Sequence, residues 1–274
     1  MEEFMTNFTL ERADQYLGIL KETITRSPIE IKTVEYHEGR SYDGDWQPFP
    51  AGSYWGKNDT WYRFRAEFTV PEEFAGKYVR VVLRTGREAL WNALNPQLLV
   101  RVNGAVVQAL DTNHHSFPLS FGALPGTVYK LDFETYAGRE YDTQSFHDLP
   151  AQFVLTAYCH DRLSEQVYYD FYTARKAAEL YPETDYRRIQ IETYLTQAMN
   201  LLDCRIPGSA DYFASLEEAA RFMREEFYGK LCRDDSVIAN CIGHTHIDVA
   251  WLWRLEQTRA KAVRSFSTEL ALMD

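Results

Sequence analysis

His244-Thr-His246-Ile-Asp248 is the stretch whose residue types and spacing could do chemistry. It directly follows an apolar run, SVIANCI at 236–242. On an extended segment alternate residues point to the same side, so His244, His246 and Asp248 can converge on one point. Imidazole nitrogen with carboxylate oxygen is a sound donor set for a divalent ion, zinc in particular. The rival reading is three polar residues on a solvent-facing loop that only make hydrogen bonds. The preceding strand and the downstream pair Trp251 and Trp253 weigh against it. Other polar groups rank lower. His114-His115 reads as a solvated turn, Asp132 and Glu134 alternate outward from a strand, and His147 and His160 have no spaced partners. No Gly-rich phosphate loop or nucleophile elbow is present.

The elements that must position these residues follow from periodicity. Residues 8–26 read as a helix stopped by Ser27-Pro28. Between 29 and 159 the sequence becomes short β-rich runs separated by Gly, Pro, Asn and Asp. WYRFRAEFTV (61–70) alternates strictly, with Tyr62, Phe64, Ala66, Phe68 and Val70 on one face and Arg63, Arg65 and Glu67 on the other. Further strands are expected at 77–86, on both sides of Asn103-Gly104 within 97–110, at 127–137 and at 151–159. The set predicts an antiparallel β-sandwich of jelly-roll type. From 161 to about 231 the period becomes helical. One stripe is Val167, Phe171, Ala174, Ala178 and Tyr181, and a second is Tyr186, Ile189, Ala198 and Leu202. A third helix begins near Ser215-Leu-Glu-Glu218, read as a capping box, and carries Phe222, Met223 and Phe227. A buried strand at 236–242, the polar loop 243–248 and a helix over 251–273 make the strand–loop–helix unit of an α/β barrel, whose sites lie at the C-terminal ends of strands. The expected class is multi-domain α+β: a sandwich with its leading helix over 1–160, a helical linker over 161–234, and the first unit of a barrel over 235–274.

Composition excludes other classes. A net charge of −11 with no Lys/Arg stripe argues against nucleic acid. No apolar run reaches the ~20 residues of a membrane span, and MEEFMTNFTLERADQYL is not a signal peptide. Cys159, Cys204, Cys232 and Cys241 show no CxxC spacing. They are expected as free, mostly buried thiols of a cytoplasmic protein, where the Asn7-Phe8-Thr9 sequon has no meaning.

GHTHIDVAWLW followed by EQTRAKAVRSFSTELALMD (256–274) resembles the start of the catalytic domain of glycoside hydrolase family 38 α-mannosidases, in their cytosolic-type branch. WYRFRAEFTVPEEFAGKYVRVVL (61–83) and VRVNGAVV (100–107) resemble that branch more weakly. The resemblance implies one zinc held by two histidines and two aspartates. It places His246 and Asp248 as the first His and Asp ligands, Trp251 under the mannose ring, and His244 as a residue that orients a ligand or the loop. It implies retaining hydrolysis of α-mannosidic bonds in oligosaccharides by two carboxylates about 5–5.5 Å apart. Asp248, committed to metal, is not the nucleophile, which is expected on a strand beyond Asp274. With half of the metal ligands and no nucleophile, the 274 residues alone are expected to be inactive and to bind metal weakly. The orphan strand and helix at 236–274 are expected to favour self-association.

Two rivals stay open. A metal-dependent amidohydrolase would use His244 and His246 together as ligands and leave Asp248 free. A carbohydrate-binding module would use Trp46, Trp55, Trp61 or Trp91 of the sandwich, unless those rings simply plug it.

Overall fold

The structure is a computed structural model that describes residues 8–57, 59–88, 96–111, 113–137, 150–232, 238–250 and 254–273. It is α+β. In chain order the elements are α1 (Thr9–Ile24), β1 (Thr25–Ile31), β2 (Val34–Glu38), β3 (Gln47–Pro48), β4 (Thr60–Thr69), β5 (Val79–Arg84), β6 (Leu98–Val102), β7 (Ala105–Leu110), β8 (Ser116–Ser120), β9 (Val128–Ala137), β10 (Val154–His160), α2 (Arg162–Glu179), α3 (Tyr186–Leu201), α4 (Ala210–Phe222), which runs on as π-helical turns over Met223–Leu231, and α5 (Leu255–Met273).

These elements form two compact units. The first gathers the residues up to Arg26 with His160–Asn240 and is helical; the second gathers Ser27–Cys159 with Cys241–Asp274. The leading helix, expected with the sandwich, sits in the helical unit instead: α1 shares a core with α2, α3 and α4, built from Ala13, Leu17, Leu20, Phe171, Leu195, Tyr212 and Met223. The stripe Val167, Phe171, Ala174, Ala178 is fully buried on α2, which Asp161 caps by accepting from the Ser164 N–H. On α3 the expected face is half wrong. Tyr186 and Ile189 are exposed, whereas Ile191, Leu195, Ala198 and Met199 are buried. The helix starts at the Asp185 cap, so its first turn lies in solvent. The capping box at Ser215 is also corrected. Ser209 is the cap, accepting from Tyr212 N–H, and Ser215 is a buried mid-helix residue that donates to the Tyr212 carbonyl at 2.7 Å.

In the second unit a four-stranded sheet, β1-β10-β5-β8, and a six-stranded sheet, β3-β2-β4-β9-β6-β7, share one core. The alternation of residues 61–70 is realised: β4 pairs antiparallel with β9 from Thr60↔Ala137 to Thr69↔Val128, and Tyr62, Phe64, Ala66 and Phe68 face the core. Phe64 of the larger sheet stacks on Phe153, which leads into β10, with ring centroids 4.0 Å apart and planes 10° from parallel. Phe117 meets Phe133 edge-on across the same layer. The hairpin at Asn103-Gly104 has both central residues at positive φ (51° and 84°), the geometry that Asn-Gly favours between strands.

The strand expected at 236–242 is absent over its described part. Residues 238–242 have no regular structure, and Ile238 and Ile242 are 81% and 85% exposed. The cause is the lack of a neighbour. A barrel strand is stable only when flanked and covered on both faces, and among the described residues no strand pairs with this run. The cysteines are free, but only Cys159 is buried; Cys232 and Cys241 are exposed. No helix among the described residues is long and apolar enough to cross a membrane.

Candidate functional site

Residues 238–250 run as an irregular segment with its described end at the left-handed Ala250 (φ 53°), whose N–H donates to the Thr258 hydroxyl on α5. Within it the two-residue spacing does what an extended backbone dictates. His246 Nε2 stands 3.1 Å from Asp248 Oδ1, so imidazole and carboxylate share a side. His246 is exposed, Asp248 is partly covered, and His244 is exposed. Among the described residues no third His, Cys, Asp or Glu completes a metal-holding group with this pair. Trp251 and Trp253 lie outside the described residues.

The segment is held through α5, which lies along the outer side of the larger sheet. The Ala109 N–H of β7 donates to the Thr268 hydroxyl at 3.3 Å, Arg264 Nη2 donates to the Gln97 amide oxygen at 3.2 Å, and Arg40 pairs with Glu256 at 2.9 Å. The backbone at Gly243 comes so close to α5 that a Cβ there would meet Glu269 and Met273 at 3.1 and 3.3 Å. The docked stripe is polar: Gln257, Ala260, Arg264 and Thr268 recur at helical spacing toward the sheet. Val263, Phe266, Leu270 and Met273 stay exposed. This is inverted amphipathicity, the reverse of a helix that uses its apolar face.

Beneath this helix the sheet carries an ion network that the alternation of residues 127–137 did not announce. Asp132 and Glu134 do point away from the core, but not into open solvent. Arg63, only 3% exposed, donates to Asp132 at 2.9 Å and to Glu134 at 2.6 Å. Arg40 reaches Glu134 at 3.4 Å, and Arg101 stands 3.9 Å from both carboxylates. Burial raises the Asp132 carboxyl above its ordinary range, although Arg63 and Arg101 pull against that shift. The pattern of strand alternation tells which face a residue takes; what later covers that face is a tertiary fact.

The remaining sequence candidates resolve into packing. Trp55 is buried among Tyr62 and Phe64 and donates to the Gln152 carbonyl. Trp46 lies under the Arg65 guanidinium and Trp61 under that of Arg40, each 4.2–4.4 Å away. His114 Nδ1 sits 3.1 Å from Asp111, and His160 Nε2 sits 2.9 Å from Glu165. Trp91 and His147 lie outside the described residues.

With this geometry in hand, comparison with known proteins bears directly on the segment. The family model for the "Glycosyl hydrolases family 38 N-terminal domain" matches residues 236–274. Over these residues the chain is similar to glycosyl hydrolase family 38. Alpha-mannosidase G of Dictyostelium discoideum is 22% identical over 293 aligned positions, covering 100% of this chain and 25% of that protein. The alpha-mannosidase of Saccharomyces cerevisiae is 31% identical over 144 positions, 48% of this chain and 12% of that one. The chain therefore spans about a quarter or less of the length of these relatives. Among solved structures, a β-glucuronidase from Ruminococcus gnavus overlays 50% of the chain and 29% of its own length at 9% identity, with a TM-score of 0.35, too slight a likeness to argue from.

The family-38 segment thus contains all of the His246–Asp248 pair and all of α5. Sequence reasoning did not foresee that Arg264 of that helix is enclosed against the sheet. The signal was there in principle, because Gln257, Ala260, Arg264 and Thr268 form a stripe of period 3.6, but a polar stripe on a surface helix ordinarily reads as the solvated side.

Proposed function

We propose that this chain is the front part of a metal-dependent retaining α-mannosidase acting on mannose-containing oligosaccharides in the cytoplasm, a setting that suits its four free thiols. The observation that carries the proposal is the meeting of His246 Nε2 and Asp248 Oδ1 at 3.1 Å inside the segment that matches the family. One nitrogen and one oxygen donor on the same side fit half of a four-donor zinc shell. A divalent ion held there would supply Lewis-acid and template chemistry toward sugar hydroxyls. Asp248, as a metal donor, is unavailable as nucleophile. The two carboxylates of retaining hydrolysis and the other metal donors would come from polypeptide other than these residues, as would the neighbours that make 236–242 a barrel strand. Trp251 would then offer a flat apolar face to the sugar ring, and His244 would orient the loop. The bare stripe Val263, Phe266, Leu270 and Met273 supports this reading, since a barrel helix needs an apolar face for its neighbours.

Two consequences are measurable. The chain alone should show no mannosidase turnover and should bind zinc no tighter than about the micromolar range, because two donors replace four. Calorimetric titration should give that value and lose it in His246→Ala and Asp248→Ala. Nanomolar affinity, or binding unchanged in both variants, would refute the assignment. The bare α5 stripe should also make the isolated chain self-associate at high concentration. A clean monomer by sedimentation at all concentrations would exclude that.

The amidohydrolase reading is not favoured, since Asp248 rather than His244 stands against His246. The module reading is not favoured either, because a guanidinium lies over Trp46 and over Trp61, and Trp55 is buried.

A further inference from the structure

Arg264 presents a charge problem that the proposed hydrolase does not absorb. It is deeply enclosed, and burial, ahead of any neighbouring charge, pulls its guanidinium down to about 10. Its Nε is shut off from solvent with no acceptor, while its Nη2 donates to a neutral amide, Gln97, at 3.2 Å. The acid that faces it is Glu134, but that carboxylate is already held by Arg63 at 2.6 Å and by Arg40 at 3.4 Å. A buried cation without an anion of its own is costly, and such groups normally pair or coordinate.

Arg264 lines a cleft of about 270 Å³ with Gln97, Asp111, His114, His246 and Lys261. Lys261 is half-buried, and its ammonium is pushed down first by burial and then by repulsion from Arg264. Two cations that repel each other therefore converge on one cleft. Two acids also line it. Asp111 is occupied, accepting from the backbone N–H groups of Asn113 and His114 and from the His114 ring; Glu269 lies on the Gly243 side, where its carboxylate is the nearest atom to that glycine's Cβ position.

We propose that this cleft between α5 and β7 is an oxyanion-binding site, with the Arg264 guanidinium as its fixed donor and Lys261 as its second charge. The ligand class is a small tetrahedral or planar oxyanion, a phosphate or a carboxylate, free or carried on a larger molecule. A guanidinium fork suits either. The donor role of Arg264 does not depend on the metal reading, since neither His246 nor Asp248 is among the groups that act on it.

The test uses the full chain and two probes, inorganic phosphate and acetate, each titrated against chloride at constant ionic strength. Thermal unfolding should shift upward and saturate with one probe, as expected for a ligand that binds only the folded state. Phosphate alone assigns a tetrahedral anion and acetate alone a carboxylate. The ¹⁵N resonance of Arg264 Nε should move with the same midpoint. Arg264→Met should weaken the binding at least about tenfold. No saturable shift with either probe, an Arg264 Nε signal that stays still, or full binding in Arg264→Met overturns the proposal. The Nε signal decides the matter in the unaltered chain if Arg264→Met does not fold.

Discussion

Phe64→Ala should cost the two-sheet unit about 3–5 kcal/mol of unfolding free energy, the range for removing a large aromatic from a closed core. Phe64 has no exposed surface and is surrounded by rings: Phe153 stacked at 4.0 Å, Phe49 and Trp55 at 5.4 Å, Tyr36 at 6.1 Å. Tyr36 lies on β2, Phe49 and Trp55 on the segment between β3 and β4, and Phe153 directly before β10. They sit in two sheets that cannot move together to close the space, so a cavity would remain. Phe64→Leu should cost clearly less. Denaturant unfolding followed by tryptophan emission measures both, because Trp55 lies against the altered site. A loss for Phe64→Ala below about 1.5 kcal/mol would mean that the sheets do not share a packed core there.

Arg63→Ala should be of similar size, about 3–5 kcal/mol, through a different cause. Arg63 makes three bonds with side-chain nitrogens: to Asp132, to Glu134 and, from Nε, to the Arg40 carbonyl at 2.6 Å. Tyr42 covers its guanidinium at 3.6 Å. Removing it leaves Glu134, 7% exposed, with Arg40 and Arg101 at 3.4 and 3.9 Å as its remaining charged contacts. The penalty lies in the stranded carboxylate more than in the lost attraction. Glu134→Gln in the Arg63→Ala background should therefore recover part of the loss, about 1–3 kcal/mol. An Arg63→Ala loss under about 1 kcal/mol, the scale of surface pairs, would show that the network is solvated.

The contrast between these two residues also shows how far the sequence was legible. Phe64 declared itself through the strict alternation of β4, while β5, β9 and β10 declared themselves through β-rich runs between turn residues, and Asn103-Gly104 declared the β6–β7 hairpin. The strands not foreseen are β1, β2, β3 and β8. Three of these are edges of their sheets, where chain chemistry departs from strand composition. β1 carries Pro28 beside Ser27 at φ 50°, β8 carries Pro118, and β3 ends on Pro48. Edge positions tolerate a missing donor, so the residues that read as breakers are the mark of an edge. Arg63 was assigned to the outward face correctly, but its burial depends on loop 40–46 and α5, which lie far off in the chain. The His246–Asp248 convergence was legible because it is local, a property of two-residue spacing on extended backbone. The strand before it was not realised, since its stability rests on neighbours that alternation and hydrophobicity cannot provide.

The most direct test of the account places the ion itself. Cobalt(II) added to ¹⁵N-labelled chain should broaden and shift resonances centred on residues 244–250, with both His246 and Asp248 needed for the effect, and zinc should compete it away. Effects centred instead on His114 and Asp111, or no localised effect at millimolar cobalt, would contradict a metal pair at His246 and Asp248 and remove the chemical basis of the proposed hydrolase.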